Sequence, residues 1–267
     1  MMLVNPASST NEVMRQLKAC DFHFPVIFKP DLGERGFMVK RIKDEKDIHD
    51  YLKKININFI VQELIDFPVE LGVFYTRFPS REKGEVTSIT MKEMLHVCDD
   101  GKSTLRELIL CNDRAKLQWP ILKVVHGDRL QAVVPMGEVV ELVSIGNHCL
   151  GTKFIDANYL INQKLSDTFD SISKQIPGFY FGRFDLRCAS IEQLYDGHIK
   201  IMELNGCGAE PAHVYNPGYS LRKAIAEFCL HWRNIFLISR ENNNRGVPYT
   251  SMRDAFRYYK TFKASSR

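Results

Sequence analysis

The chain lacks the spacings that would mark a metal-bound or disulfide-stapled protein. Its seven cysteines and eight histidines form no C-x-x-C pair and no H-x-x-x-H, which argues against a zinc site. The cysteine count is odd and the positions are scattered, which fits a reducing compartment better than a disulfide framework. No apolar run approaches the ~20 residues of a spanning helix. The start, MMLVNPASSTNEVMRQL, has no basic stretch followed by an apolar core, so it does not read as a secretory signal. Internal repeats and low-complexity tracts are absent too. The expectation is a cytoplasmic protein.

What is present is ordinary for a globular chain. At 267 residues, 45% hydrophobic and 25% charged, it can build one large domain or two small ones. The net charge of +4 is unevenly spread. Residues 240–267 hold seven Lys/Arg against two Asp/Glu, a balance of +5 that leaves −1 for the rest. Such a tail can touch nucleic acid or anionic lipid, but a solvated helix face is the commoner reading. The expectation is therefore no nucleic-acid and no membrane partner, with Phe256 and Phe262 packed inward.

The informative stretch is FYFGRFDLRC followed by IKIMELNGCGAEP. Both halves alternate as strands. Phe179, Phe181, Arg183 and Asp185 share one face of the first, and Ile199, Ile201, Glu203 and Asn205 share one face of the second. If the strands pair, Asp185, Glu203 and Asn205 converge at one edge beside Arg183. Two carboxylates and an amide oxygen are hard ligands suited to Mg²⁺, and burying such charge without a cation is costly. A solvated hairpin end with a stray salt bridge is the plain alternative.

Arg183-Phe184-Asp185-Leu186 followed by Glu203-Leu204-Asn205 resembles the metal-binding end of ATP-grasp ligases, among them D-alanine–D-alanine ligase and the ATP-grasp part of cyanophycin synthetase. Upstream stretches extend the resemblance. Lys29 ends an apolar strand and is followed by Gly33 and Gly36, where the family has a phosphate-contacting lysine and a glycine-rich loop. Glu34 is an unhelpful charge in that loop, and Arg35 offsets it. QELI, residues 62–65, with Glu70 beyond it, is similar to the family's adenine hinge. The Glu63 carbonyl and Ile65 amide would meet adenine, with Gln62 and Leu64 adjoining, and Glu70 would take the ribose hydroxyls. A surface carboxylate is the alternative for Glu70. DGKSTLREL, from Asp100, resembles the loop and helix after that hinge, with a capping box from Thr104 to Glu107. It is not a P-loop, because His96 stands where that motif needs its first glycine.

Periodicity fills in the rest. Helices are expected over 11–19 (capped by Ser9 or Thr10), 44–55, 113–125, 158–176, 219–237 and 252–262. Strands are expected over 58–65, 69–75, 86–95, 129–134 and 138–144. Residues 242–248 are the best linker candidate. In the asparagine- and glycine-containing loop 146–154, His148 and Lys153 are candidates to face substrate, with a structural role preferred for His148. Cys207 lacks an activating base and reads as no nucleophile.

The resemblance implies an α+β chain with the ATP-grasp fold: two α+β subdomains with nucleotide between their sheets. Most of the usual N-terminal α/β domain is lacking. The implied division is a lead-in (1–24), an N-terminal subdomain forming the nucleotide lid (25–66), a C-terminal subdomain with the Mg²⁺ site (67–240) and a basic C-terminal helix (241–267). The missing domain suggests a short member, a fragment, or one half of a split system completed by a partner chain or domain. The implied cofactors are ATP and one or two Mg²⁺, for which Mn²⁺ can substitute. Metal ligands would be Asp185, Glu203 and Asn205. Nucleotide would be held by Lys29, Gly33, Gly36, Gln62, Glu63, Leu64, Ile65 and Glu70. Arg183, Lys92 and Lys153 would serve the chemistry. The implied reaction joins a small-molecule or peptide carboxylate to an amine or thiol through an acyl phosphate. An ATP-grasp kinase, or an ATP-binding module without turnover that needs a partner domain, are the alternatives.

Overall fold

A computed structural model describes residues 1–33, 36–98, 100–143, 146 and 150–265. Expectations for Glu34, Arg35 and His148 lie outside the described residues. The chain divides into two units, Met1–Asp66 with Pro248–Arg267, and Phe67–Val247.

The first unit begins with strand β1 (Met2–Val4) and helix α1 (Thr10–Ala19). Ser9 caps α1 by accepting from the Glu12 amide. Strands β2 (Val26–Pro30) and β3 (Lys40–Ile42), helix α2 (Glu45–Leu52) and strand β4 (Phe59–Glu63) follow. The antiparallel sheet has the order β1-β4-β2-β3. Alternation decides its faces. Val26 and Phe28 of β2 and Phe59 and Val61 of β4 are buried against Val13 and Leu17 of α1 and Ile48 and Tyr51 of α2. Each such side chain contributes about 1.5–3 kcal/mol. Residues 1–24 are thus no lead-in: Met2–Val4 pairs with β4 and α1 supplies part of the core.

The second unit opens with strands β5 (Val69–Thr76), β6 (Glu85–Glu93) and β7 (His96–Cys98). Helix α3 (Leu105–Cys111) carries the full reciprocal capping box between Thr104 and Glu107. Helix α4 (Trp119–His126) has Pro120 in its first turn, where a missing N–H costs nothing. Strand β8 (Val139–Glu141) pairs with β7. These elements close a core of their own around Leu105, Ile109, Leu122 and Leu142. The strand expected over 129–134 is instead a 3₁₀ turn, Gly127–Gln131. Leu130 alone is buried within that turn, and beyond it Val133 forms only an isolated bridge with Thr104.

Next come β9 (Lys153–Asp156), α5 (Gln163–Lys174), β10 (Phe181–Cys188), α6 (Ile191–Tyr195), β11 (Ile199–Asn205) and α7 (Leu221–Asn244). The helix expected from 158 starts at Gln163, because Asn162 caps it by accepting from Leu165. Helix α7 runs through the boundary drawn at 240 and ends at Asn244, with Gly246 at positive φ just beyond it. The chain then forms α8 (Met252–Ser265). Among the described residues no helix is long and apolar enough to cross a membrane.

Five antiparallel strands, in the order β11-β10-β5-β6-β9, make the main sheet of this unit. One face is apolar: Leu71, Val73, Tyr75, Ile89, Phe184 and Leu186 pack against Leu165 and Phe169 of α5 and Leu194 of α6. The other face is apolar at one end, where Phe74 and Phe181 meet Ile238 of α7. Its remainder is polar and carries the candidate site.

Gly182 of β10 shows how closely β11 is held. A Cβ there would collide with the Asn205 carbonyl oxygen and the Phe179 ring. Gly182→Ala is therefore expected to pry the edge strand away and to cost about 1–3 kcal/mol. Urea unfolding checks this, and an unchanged midpoint would show that the strand gives way freely.

Candidate active site

Register builds the site in rows across the polar face. Asp185 of β10 stands opposite Glu203 of β11 on one side and Gly72 of β5 on the other. Gly72 stands opposite Thr90 of β6, and Thr90 opposite Asp156 of β9. In the next row Arg183 lies between Asn205 and Phe74. In the row on the other side Arg187 stands opposite Glu70, and Lys92 opposite Phe154. The pairing of β10 with β11 meets the condition that the alternation left open, and a register shift follows Asp185.

The charged side chains across these rows form an alternating chain. Arg187 reaches Glu70 Oε2 with Nη2 at 2.7 Å and Nε at 2.9 Å. Lys92 Nζ lies 3.1 Å from Glu70 Oε1 and 3.2 Å from Asp185 Oδ2. Arg183 Nε donates to Asp185 Oδ1 at 2.6 Å, and Nη2 to Oδ2 at 3.3 Å. The Lys92, Glu70 and Asp185 side chains are each less than a tenth exposed. Glu70 is thus a buried carboxylate with a cation on each oxygen, not a surface group. Buried ions are tolerated here because each carboxylate meets two cations.

Gly72 makes the crossing of these side chains feasible. A Cβ there would stand 3.1 Å from Arg183 Cδ and 3.4 Å from Asp185 Oδ1. Gly146 lies against the other end of the chain of charges, where a Cβ would run into Glu70 Oε1 and Lys92 Cδ.

The charges set each other's protonation. Burial pushes the Asp185 carboxyl up, but Lys92 and Arg183 beside it outweigh this and hold it below the usual carboxylate range. Burial works against the Arg183 charge, yet Asp185, Glu203 and Glu210 hold its pKa above the usual value. Arg183 Nη1 also donates to the Glu210 carbonyl at 3.1 Å, which ties down the turn after β11. The Glu210 carboxylate accepts from Tyr215 Oη at 2.5 Å. Burial and that bond push Tyr215 up to about 12. Beyond the turn, His213 is buried with Nδ1 2.6 Å from Ser88 Oγ, and burial lowers its pKa, so it is neutral near pH 7.

No family model matches the chain, and no curated protein matches it. Among solved structures it is similar to D-alanine–D-alanine ligase from Bacillus anthracis, at 12% identity and a TM-score of 0.45, over 91% of this chain and 60% of that one. It is similar to a bifunctional glutathione synthetase from Pasteurella multocida at 15% identity and 0.42, over 90% and 34%. It is similar to D-cycloserine synthetase DcsG at 15% and 0.41, over 87% and 64%. These structures are ATP-grasp ligases, the group that the sequence motifs resemble. The chain spans less than two thirds of the length of each.

The donor set has the right chemistry for a hard divalent cation. Glu203 is exposed and directly across from Asp185, and Asn205 lies across from Arg183. The Asn205 amide nitrogen is buried with no hydrogen-bond partner. A half-turn of the amide exchanges that nitrogen for the oxygen. Among the described residues no three His, Cys, Asp or Glu side chains gather as a ready metal cluster. The three protein donors named here include only two carboxylates, leaving positions for phosphate or water.

Lys153 is not part of this set. It stands opposite Glu93 and pairs with it, one register position from Phe154 and Lys92. Alternation therefore turns it to the other face of the sheet. Arg187 was missed from the sequence, although its place two residues after Asp185 puts it on the same face by the same alternation.

The first unit holds the other expected nucleotide residues. Register places Lys29 beside Ile60, and Gln62 beside Ile27, on the sheet face opposite Phe28 and Val61. Gly36 has φ of 75°, a turn conformation that glycine adopts without strain. Glu63 ends β4, and Leu64 and Ile65 are half-buried just after it.

Proposed function

We propose that this chain is an ATP-dependent ligase that activates a carboxylate as an acyl phosphate and passes it to an amine. The observation that carries this reading is the pairing of Arg183 and Asp185 with Asn205 and Glu203 beside the buried Lys92. It is supported by the resemblance of those strands to the phosphate end of ATP-grasp ligases.

In this reading Asp185, Glu203 and Asn205 hold Mg²⁺. When bound, the ion neutralises phosphate oxygens as the γ-group moves. Arg183, fixed by Asp185 and the Glu210 carbonyl, faces the transferred group and stabilises its charge. Lys92 is held between two carboxylates and aimed along the same row. Glu70 keeps lone pairs beyond those used by Lys92 and Arg187, and these take the ribose hydroxyls. Lys29 contacts the phosphates, the Glu63 carbonyl and Ile65 amide read adenine, and the loop of Gly33 and Gly36 covers the phosphates. The γ-phosphoryl group moves to a carboxylate oxygen with release of ADP, and the amine then displaces phosphate at the acyl carbon. The turn 206–211, with glycines at 206 and 208, borders Arg183 and encloses the acyl phosphate against water.

Incubation with ATP, Mg²⁺ and pools of amino acids or short peptides, with hydroxylamine as trap, is expected to yield a hydroxamate from the true substrate. A stable phosphorylated product without hydroxamate would instead make the chain a kinase. ATP binding without turnover on any pool would make it a module that needs a partner.

A further inference from the structure

Residues 221–267 carry ten Lys/Arg and three Asp/Glu, +7 in a chain whose net charge is +4. The remainder is acidic overall, so the cationic end is a local feature and not a property of the whole surface.

Helix α8 arranges its share of that charge in a particular way. Met252, Phe256 and Tyr259 recur at helical spacing and form an apolar stripe. They are 86%, 60% and 56% exposed. The expectation that Phe256 packs inward is therefore wrong, while Phe262 is half-buried. The residue after each member of the stripe is a cation: Arg253, Arg257 and Lys260. A second, basic stripe thus runs parallel to the first, about 100° round the helix. The sole acid of α8, Asp254, pairs with Arg257. Lys260 lies over the Phe256 ring at 5.0 Å and Lys263 over the Tyr259 ring at 5.8 Å. The long cationic stems lie along the aromatic face in water, and they can lift off it with their heads directed to an anionic layer.

We propose that α8 lies in the surface of an anionic lipid bilayer. Met252, Phe256 and Tyr259 enter the boundary between headgroups and acyl chains, and Arg253, Arg257 and Lys260 meet the lipid phosphates. Parallel apolar and basic stripes are what an interfacial helix requires, and the want of a spanning helix does not bear on this mode of contact. Charge selects the occupant. A second copy would bring its own basic α8, or an α7 whose exposed Leu221, Trp232 and Phe236 lie among Arg222, Arg233 and Arg240. Like charge opposes both. A nucleic acid would satisfy the cations but leave the Met252 stripe facing water or phosphate.

Vesicle flotation of the full chain tests this. Vesicles of phosphatidylcholine with phosphatidylserine are expected to carry the protein up the gradient, and vesicles of phosphatidylcholine alone are not. Added salt weakens the binding. The triple variant Arg253→Gln, Arg257→Gln, Lys260→Gln is expected to lose affinity on the order of a hundredfold, about fivefold for each cation. Phe256→Ser with Tyr259→Ser is expected to lose at least about tenfold while keeping the charge. All five side chains are exposed, so the far-ultraviolet circular dichroism of both variants should match the parent. No flotation with phosphatidylserine, or flotation unchanged by loss of the aromatic pair, overturns the proposal. Tight salt-sensitive binding to a single-stranded oligonucleotide without vesicle binding overturns it in favour of a nucleic-acid surface.

Discussion

Lys92→Met is expected to destabilise the protein by about 3 kcal/mol, near the low end of the range for breaking a buried ion pair. Methionine nearly preserves the volume, so the loss reports charge and not packing. Among the described residues Lys92 is the one cation that touches both Glu70 and Asp185. Without it each carboxylate keeps a single partner, Arg187 or Arg183, and the two buried anions are no longer separated by positive charge. The pH dependence gives the sign. The Asp185 pKa is depressed by its cationic neighbours, so its contribution is present above the unfolded value of about 4 and is lost as pH falls through the lower folded value. Removing Lys92 raises the folded pKa and shrinks that contribution. The gap between Lys92→Met and the parent should therefore be widest near neutral pH and narrow as pH falls through the carboxylate range. Urea titrations across that range check it. A gap independent of pH would mean that the methionine disturbs packing and that the carboxylates are indifferent to Lys92.

The second large effect concerns turnover. Asp185→Asn should lower the rate of hydroxamate formation by about a thousandfold or more. A single pre-aligned electrostatic contact in an active site commonly contributes 10²–10³, and this change touches three things at once. In the proposed reading it removes one of the two carboxylates that would hold Mg²⁺. It leaves Arg183 and Lys92 without the anion that both contact. It also frees the Arg183 fork to turn away from the transferred group. A loss of less than about tenfold would remove Asp185 from the chemistry and leave it a structural ion.

Much of this site was legible because alternation is a strong rule. Arg183 and Asp185, two apart, had to share a face, as did Glu203 and Asn205. The only open question was whether their strands paired, and the register of β10 with β11 answers it. The capping box at Thr104 was equally local and equally legible. Lys153 failed for the opposite reason. Its side depends on how β9 docks against β6, and a strand of four residues carries too little pattern to fix that. Arg187 was overlooked although the rule that found Asp185 reaches it. Met2–Val4 was read as part of a lead-in because three residues do not reveal an edge strand. Its place comes from β4, more than fifty residues away. Phe256 was misread as packed because an apolar side chain on a helix does not show that anything covers it.

Titration calorimetry of the intact chain with Mg²⁺ and a non-hydrolysable ATP analogue tests the central claim most directly, in parallel with Glu203→Gln. Glu203 is exposed and lies across from Asp185, so the variant should fold as the parent does. The account predicts Mg²⁺-dependent binding by the parent and an affinity lower by about ten- to a hundredfold for Glu203→Gln, the equivalent of about 1.4–2.8 kcal/mol. Equal affinity in the two proteins, or no binding by the parent with Mg²⁺ present, would contradict it.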